Sequence, residues 1–439
     1  MTISPGATTA TSPGRAPVMQ IVQQHAEESA LLRQVRSVLV RAPHVRLNQL
    51  RRLDDRLAAH LDGLAVAGPA GTACTQAALA RPDAGELFTA AVRAIEDRDD
   101  EALARLLAVA AALPAARRGV LSAFGWVSAA QLQGIARDLL GSAEAAWRDI
   151  GIAACRMHHA DPGPLLIEAL QDPDAGLRAS ALRAAGELGR LDLLPAARAA
   201  MVDDAPEVVF WAAWAACLLG DRQAALKVLG FAAQRDDDLA LRALVLTLAA
   251  SEFEAARDVV RAISQAAQGQ PTGSPPHRRL IRAVGLLGDV QFVPWLIELM
   301  EQPTIARLAG EAFSMISGAD LARQDLEGAS GPVLDTGPSD NPADERVALD
   351  EDDSLPWPNA GRVQHWWSRN GGGLVTGQRC FIGRPVSAES ALQVLREGLQ
   401  RQRHVAALSL SLLRPGTGLF PVAAPARRQQ QALAVGSAA

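Results

Sequence analysis

The chain has 439 residues, of which 49% are hydrophobic and 21% charged, with a formal net charge of −5 at pH 7. That length suits two to four domains of ~100–200 residues, needs no disulfide or metal to hold a core, and with this apolar content excludes a wholly disordered protein. Alanine makes up about a fifth of the chain, aromatics only 4%, and tyrosine is absent, a composition that favours helices, disfavours strands and points to an all-α fold.

Residues 1–17 are rich in Ser, Thr, Pro, Gly and Ala and read as a disordered tail. They lack the charged start and apolar stretch of a secretory signal. A helical region over 18–80 follows. Within it, Leu47, Leu50, Leu53, Leu57, Leu61 and Leu64 fall on one helix face. Arg51, Arg52, Asp54, Asp55 and Arg56 fall mainly on the other and read as a solvated, salt-bridged face. Gly68-Pro69-Ala70-Gly71 stops that helix.

A repeat array is expected over 81–327. Between Gly85 and Leu140 it reads as two irregular helical pairs. From about 146 a step of 31 residues is plain: Leu177–Gly189, Val208–Gly220 and Leu239–Ser251 align, and the slots continue at Gly288 and Gly318 after a short insertion at 270–276. Stepping back from Gly189 gives His158. Periods of 20–50 residues signal solenoids. Each unit makes sense as two helices. Alanines at 153, 184, 215 and 283 allow close packing. Gly189, Gly220 and Gly288 can end a helix in the left-handed region. Pro164, Pro195 and Pro294 sit in the first turn of the second helix. The acidic turns Asp172-Pro-Asp174, Asp203-Asp204 and Asp236-Asp237-Asp238 read as helix caps rather than catalysts.

The stretch from Asp172 through Leu177-Arg178, Ala181 and Ala184 to Leu188-Gly189 resembles the HEAT-repeat signature. Later units are degraded, with Val209 where the arginine belongs. The expected fold is therefore an all-α solenoid of HEAT-like helical pairs, with an N-terminal helical cap and a small C-terminal module.

Residues 328–354 turn rich in Gly, Pro, Ser and Asp and read as an acidic linker. A module over 355–425 then carries Leu355-Pro-Trp-Pro, a short helix with His365-Trp366-Trp367, Gly371-Gly-Gly373, and helices bounded by Ser387, Gly398 and Pro415. Residues 426–439 read as a flexible tail. Trp357, Trp366 and Trp367 lie within eleven positions, so they either fill a small core or anchor a partner. Arg362, Arg379 and Arg384 could serve the same surface or fold back on the acidic linker. These six are the candidate partner-binding residues.

No catalytic constellation emerges. Gly371–Gly373 lacks a phosphate-loop context, and no nucleophile elbow occurs. His158-His159 are adjacent and so do not form a chelating pair one helical turn apart. No cofactor or metal is implied. Cys74, Cys155, Cys217 and Cys380 are scattered, which suits free thiols in a reducing cytoplasm. The longest apolar runs, 106–116 and 208–220, are too short to span a membrane. Trp211 and Trp214 lie three apart on one helix and read as packing residues. The other reading is a base-stacking groove of a nucleic-acid-binding or base-processing protein, against which the acidic composition weighs.

The N-terminal His25-Ala-Glu-Glu and Leu53-Asp-Asp-Arg…His60-Leu-Asp-Gly, the array, and the C-terminal Leu-Pro-Trp-Pro…Trp-Trp…Gly-Arg-Pro together resemble an uncharacterised proteobacterial family of hypothetical HEAT-like proteins, over about 18–425. Members are often encoded near type VI secretion genes. The resemblance implies a non-enzymatic scaffold or adaptor whose partner is a type VI component or effector, and it supplies no catalytic residues.

Overall fold

The computed structural model describes residues 16–237, 239–328 and 352–435. The expected tail at 1–17 and the acidic linker lie mostly outside them. Among the described residues there are 22 α-helices and one two-stranded hairpin, so the fold is an all-α solenoid. The chain divides into two compact units, residues 1–35 with 55–127, and residues 36–54 with 128–439.

Helices α1 (Met19–Leu39) and α2 (Leu47–Val66) each contribute to both units. The six leucines predicted on one face of α2 are all buried. The first unit adds α3 (Pro69–Ala78), α4 (Ala84–Asp97), α5 (Asp100–Ala112) and α6 (Pro114–Trp126). Asp83 and Glu86 form a capping box at the start of α4. Leu87, Phe88, Ile95, Val120 and Phe124 fill its core. Buried Arg33 bonds the Ser122 hydroxyl and the Arg118 carbonyl.

In the second unit α7 (Ile135–Leu140) precedes the array. Its first helices are α8 (Ala145–His158), α10 (Ala175–Leu188), α12 (Pro206–Leu218), α14 (Ala240–Ala250), α16 (Pro275–Leu287) and α18 (Ala306–Ser317). Their partners are α9 (Pro164–Ala169), α11 (Leu194–Ala200), α13 (Gln223–Ala232), α15 (Phe253–Ala267) and α17 (Val293–Leu299). Small residues set the spacing. A Cβ on Gly186 would lie 2.6 Å from the Ala215 backbone, and one on Gly285 would lie 2.9 Å from that of Ala312. Ala184, Ala185, Ala212, Ala213, Ala215 and Ala216 are wholly buried.

The turn chemistry follows the sequence. Gly189, Gly288 and Gly318 end their helices in the left-handed region. Asp174 caps α10 through the Leu177 amide. The arginine of the HEAT signature bridges neighbouring units: Arg178 bonds the carbonyls of Asp172 and Pro173 behind it and the Asp203 carboxylate ahead. Arg148 and Asp172 repeat the arrangement one unit earlier. One slot moves. The left-handed position before Gly189 is held by His159, with φ 53°, and not by His158.

Beyond the array come α19 (Ala360–Asn370), the hairpin β1 (Cys380–Phe381) and β2 (Arg384–Pro385), α20 (Ala388–Glu397), α21 (Gln400–Leu413) and α22 (Ala426–Val435). Three expectations need correction. The stretch 426–435 is a helix and not a flexible tail, because Asp54 accepts the Ala426 amide at 2.7 Å and Gln429 is buried against the Val422 and Ala424 carbonyls. Asp54 itself is not on a solvated face. It is buried and paired with Arg36. The C-terminal module is not separate from the array but shares its compact unit.

Candidate functional site

The C-terminal segment reaches the array through the ends of its helices. The last carbonyls of a helix lack amide partners within it, and at four of the array helices residues 379–419 supply them. The Leu419 amide donates to the Glu187 carbonyl at the end of α10. Arg379 donates to the Ala249 and Ser251 carbonyls at the end of α14. The Cys380 amide donates to Gly288 after α16, and the Ile382 and Gly383 amides donate to Met315 and Ile316 of α18. Beside α12, Arg222 donates in the other direction, to the Leu412 carbonyl. The left-handed glycines therefore have a second role. A Cβ on Gly189 would lie 2.3 Å from the Gly416 carbonyl oxygen, and one on Gly288 would lie 2.0 Å from that of Cys380.

This arrangement places the six candidate residues. Trp366 and Trp367 are half-buried, and both meet the wholly buried Phe313 edge to face, with centroids 5.9 and 6.1 Å away. Half-buried Trp357 lies under the Arg307 guanidinium, 4.6 Å from its centroid. The tryptophans thus seat the module on the array and keep part of each ring open. Arg362 is exposed and pairs with Asp325. Exposed Arg384 donates to the Gln393 side chain. Both terminal nitrogens of half-buried Arg379 donate to carbonyls at the end of α14. Among the described residues, none of these three arginines takes a carboxylate of the linker. Arg278 of α16 holds the buried Asp352.

A second cluster was not anticipated. Glu187 on α10 is buried between Arg156 of α8, at 2.6 Å, and Arg183 of its own helix, at 2.8 Å. Burial alone would raise its pKa, but the Arg183 and Arg156 charges outweigh that and bring it to about 2. The Arg183 guanidinium stacks 4.5 Å from the Trp211 ring centre of α12. Arg242 of α14 stacks on Trp211 at 5.6 Å and on Trp214 at 5.7 Å. Arg242 is exposed as a whole, but desolvation of its guanidinium against the two indoles, then the like charge of Arg183, lowers its pKa to about 10. On α21, burial drops His404 to about 4, and its Nδ1 lies 2.8 Å from the Gln400 carbonyl. Only the 31-residue step could have signalled this. It relates 156 to 187, 183 to 214 and 211 to 242, so successive array helices supply every member except His404 of α21, which lies outside the step.

Trp211 and Trp214 are 6% and 2% exposed, so neither offers a ring face to a nucleic-acid base. Among the described residues no group of three or more His, Cys, Asp or Glu could hold a metal, and no helix is long and apolar enough to cross a membrane. All four cysteines are free thiols.

Comparison with known proteins agrees with the class of fold. Residues 163–250 match the family model of HEAT repeats. That span holds α9, the helix pairs α10–α11 and α12–α13, α14, and the Arg178–Asp203 bridge. An engineered protein of solved crystal structure is similar at 13% identity, over 67% of this chain and 94% of that one, with a TM-score of 0.32. None of the curated proteins compared matches the chain.

Proposed function

We propose that this protein is a non-enzymatic, protein-binding scaffold or adaptor. The observation that carries the reading is the HEAT-repeat match over 163–250, set in a longer run of stacked helix pairs. Stacked helical pairs present an extended surface suited to macromolecular partners and bring no chemistry of their own. The partner surface we favour is the open side of the C-terminal module, with the exposed parts of Trp357, Trp366 and Trp367 and the exposed Arg362 and Arg384. Tryptophan and arginine are the residues most enriched in interface hot spots. The family resemblance suggests a cytoplasmic role beside type VI secretion, with a component or effector of that system as partner.

Cross-linking affinity purification from the native host tests this reading. The full chain is expected to recover a specific protein that is lost when Arg362 and Arg384 are both replaced by alanine. Recovery of no specific partner under several growth conditions contradicts the scaffold.

A further inference from the structure

Two histidines that lie 35 positions apart in the chain face one another across α1 and α2. Both belong to the first compact unit. The Nδ1 atom of His25 stands 3.1 Å from the Nδ1 atom of His60, with the ring planes inclined at 68°. Both residues are half-buried, so the pair is neither sealed in the core nor free in solvent. Among the described residues, neither ring has another hydrogen-bond partner.

The fold makes room for this contact. Gly63 sits inside α2, one turn after His60, where glycine is a poorer helix former than alanine. A Cβ there would lie 2.6 Å from both Cδ2 and Nε2 of His25. Glycine therefore leaves the space that the His25 imidazole fills.

A hydrogen bond alone is a poor use of the pair. The proton of a neutral imidazole favours Nε2, and a contact between two Nδ1 atoms needs one ring to donate from Nδ1, its minor tautomer. A cation between the rings removes that difficulty. Each ring then keeps its proton on Nε2 and turns an Nδ1 lone pair to the ion, and neutral imidazole is the commonest metal ligand through either nitrogen. Nitrogens bound at about 2.0–2.1 Å to one ion stand about 2.9–3.4 Å apart as the angle between them opens from square-planar to tetrahedral. The 3.1 Å separation falls inside that span. No third His, Cys, Asp or Glu joins the pair among the described residues, so water fills the remaining positions. Two imidazoles with water suit zinc, nickel or copper, whereas magnesium and calcium take oxygen ligands.

We propose that His25 and His60 form a two-histidine chelate for a first-row divalent cation of the zinc and nickel type, which clamps α1 to α2.

Calorimetric titration of the untagged full chain with nickel chloride at neutral pH tests the site. One ion per chain is expected to bind, and magnesium should give no signal. His25→Gln and His60→Gln should each weaken nickel binding at least tenfold, and His365→Gln, at an exposed position, should leave it unchanged. One equivalent of zinc should also shift the ring-proton resonances of two of the eight histidines, the two whose signals are missing from the His25 and His60 variants. Because the shifts are read on the parent chain, the test stands even where a variant folds poorly. No binding by the parent, binding that survives the loss of either histidine, or ring-proton shifts confined to other histidines overturns the proposal.

Discussion

Replacing Gly288 by alanine separates two effects that usually come together. The residue has φ +71°, so alanine there carries the strain of the left-handed region, about 1–2 kcal/mol. The new Cβ would also lie 2.0 Å from the Cys380 carbonyl oxygen, a separation that no side-chain rotation relieves because both partners are backbone. The hairpin must move away. Its 2.8 Å hydrogen bond from the Cys380 amide to Gly288 is lost with it, and those from Ile382 and Gly383 to the end of α18 are weakened. At about 0.5–1.5 kcal/mol per bond, the added cost is about 1–3 kcal/mol. Gly269 supplies the control. Its φ is +74°, yet a Cβ there meets nothing within 4 Å. Urea unfolding of Gly288→Ala and Gly269→Ala should therefore give the same strain cost and differ by about 1–3 kcal/mol. Limited proteolysis should cut only the former near residues 374–386. Equal destabilisation of the two variants would refute the claim that the C-terminal segment closes the helix ends.

Other expectations follow from buried partners. Asp54→Ala leaves Arg36 short of its carboxylate and the Ala426 amide without an acceptor; it should cost about 3 kcal/mol and expose α22 to proteases, and an unchanged digestion pattern would count against the packing of that helix. Phe313→Ala removes the wholly buried ring that seats Trp366 and Trp367; a loss of about 3–5 kcal/mol and a red shift of tryptophan emission are expected, and an unmoved spectrum would contradict the contact. Stability should also depend on acidity through two buried groups. His404 is held below its ordinary 6.5, at about 4, so the unfolded chain binds its proton more readily; its contribution is complete above pH 6.5 and is lost as pH falls through 4. Glu187 is held below 4.5, at about 2, so its contribution is complete above pH 4.5 and is lost as pH falls through 2. Each is worth up to about 3 kcal/mol, and His404→Gln should flatten the stability curve between pH 6.5 and 4 while leaving the steeper fall below it.

The array was legible because its signals are local and periodic. Gly189, Gly288 and Gly318 mark helix ends by a conformation other residues avoid, and Asp174 and Pro164 mark beginnings by the donors they satisfy or lack. The contacts of the C-terminal segment were not legible, because they join main-chain amides of Cys380, Ile382, Gly383 and Leu419 to main-chain carbonyls and leave no mark in side-chain pattern. Asp54 misled for a related reason. Four residues after Leu50 and three before Leu57, it lies at the edge of the leucine stripe, but its charge argues for solvent, and only the distant Ala426 and Arg36 make burial of that charge tolerable. The cluster over Trp211 lies between these cases. Its members keep the 31-residue step, but the step does not reveal which helix face they share or that His404 closes over it.

Native-state hydrogen exchange on the full chain tests most directly whether the array and the C-terminal segment are one cooperative body. The amides of Cys380, Ile382, Gly383 and Leu419 should exchange as slowly as those in the middle of α16 and α18. Rapid exchange at these four, beside full protection of the array helices, would contradict the account.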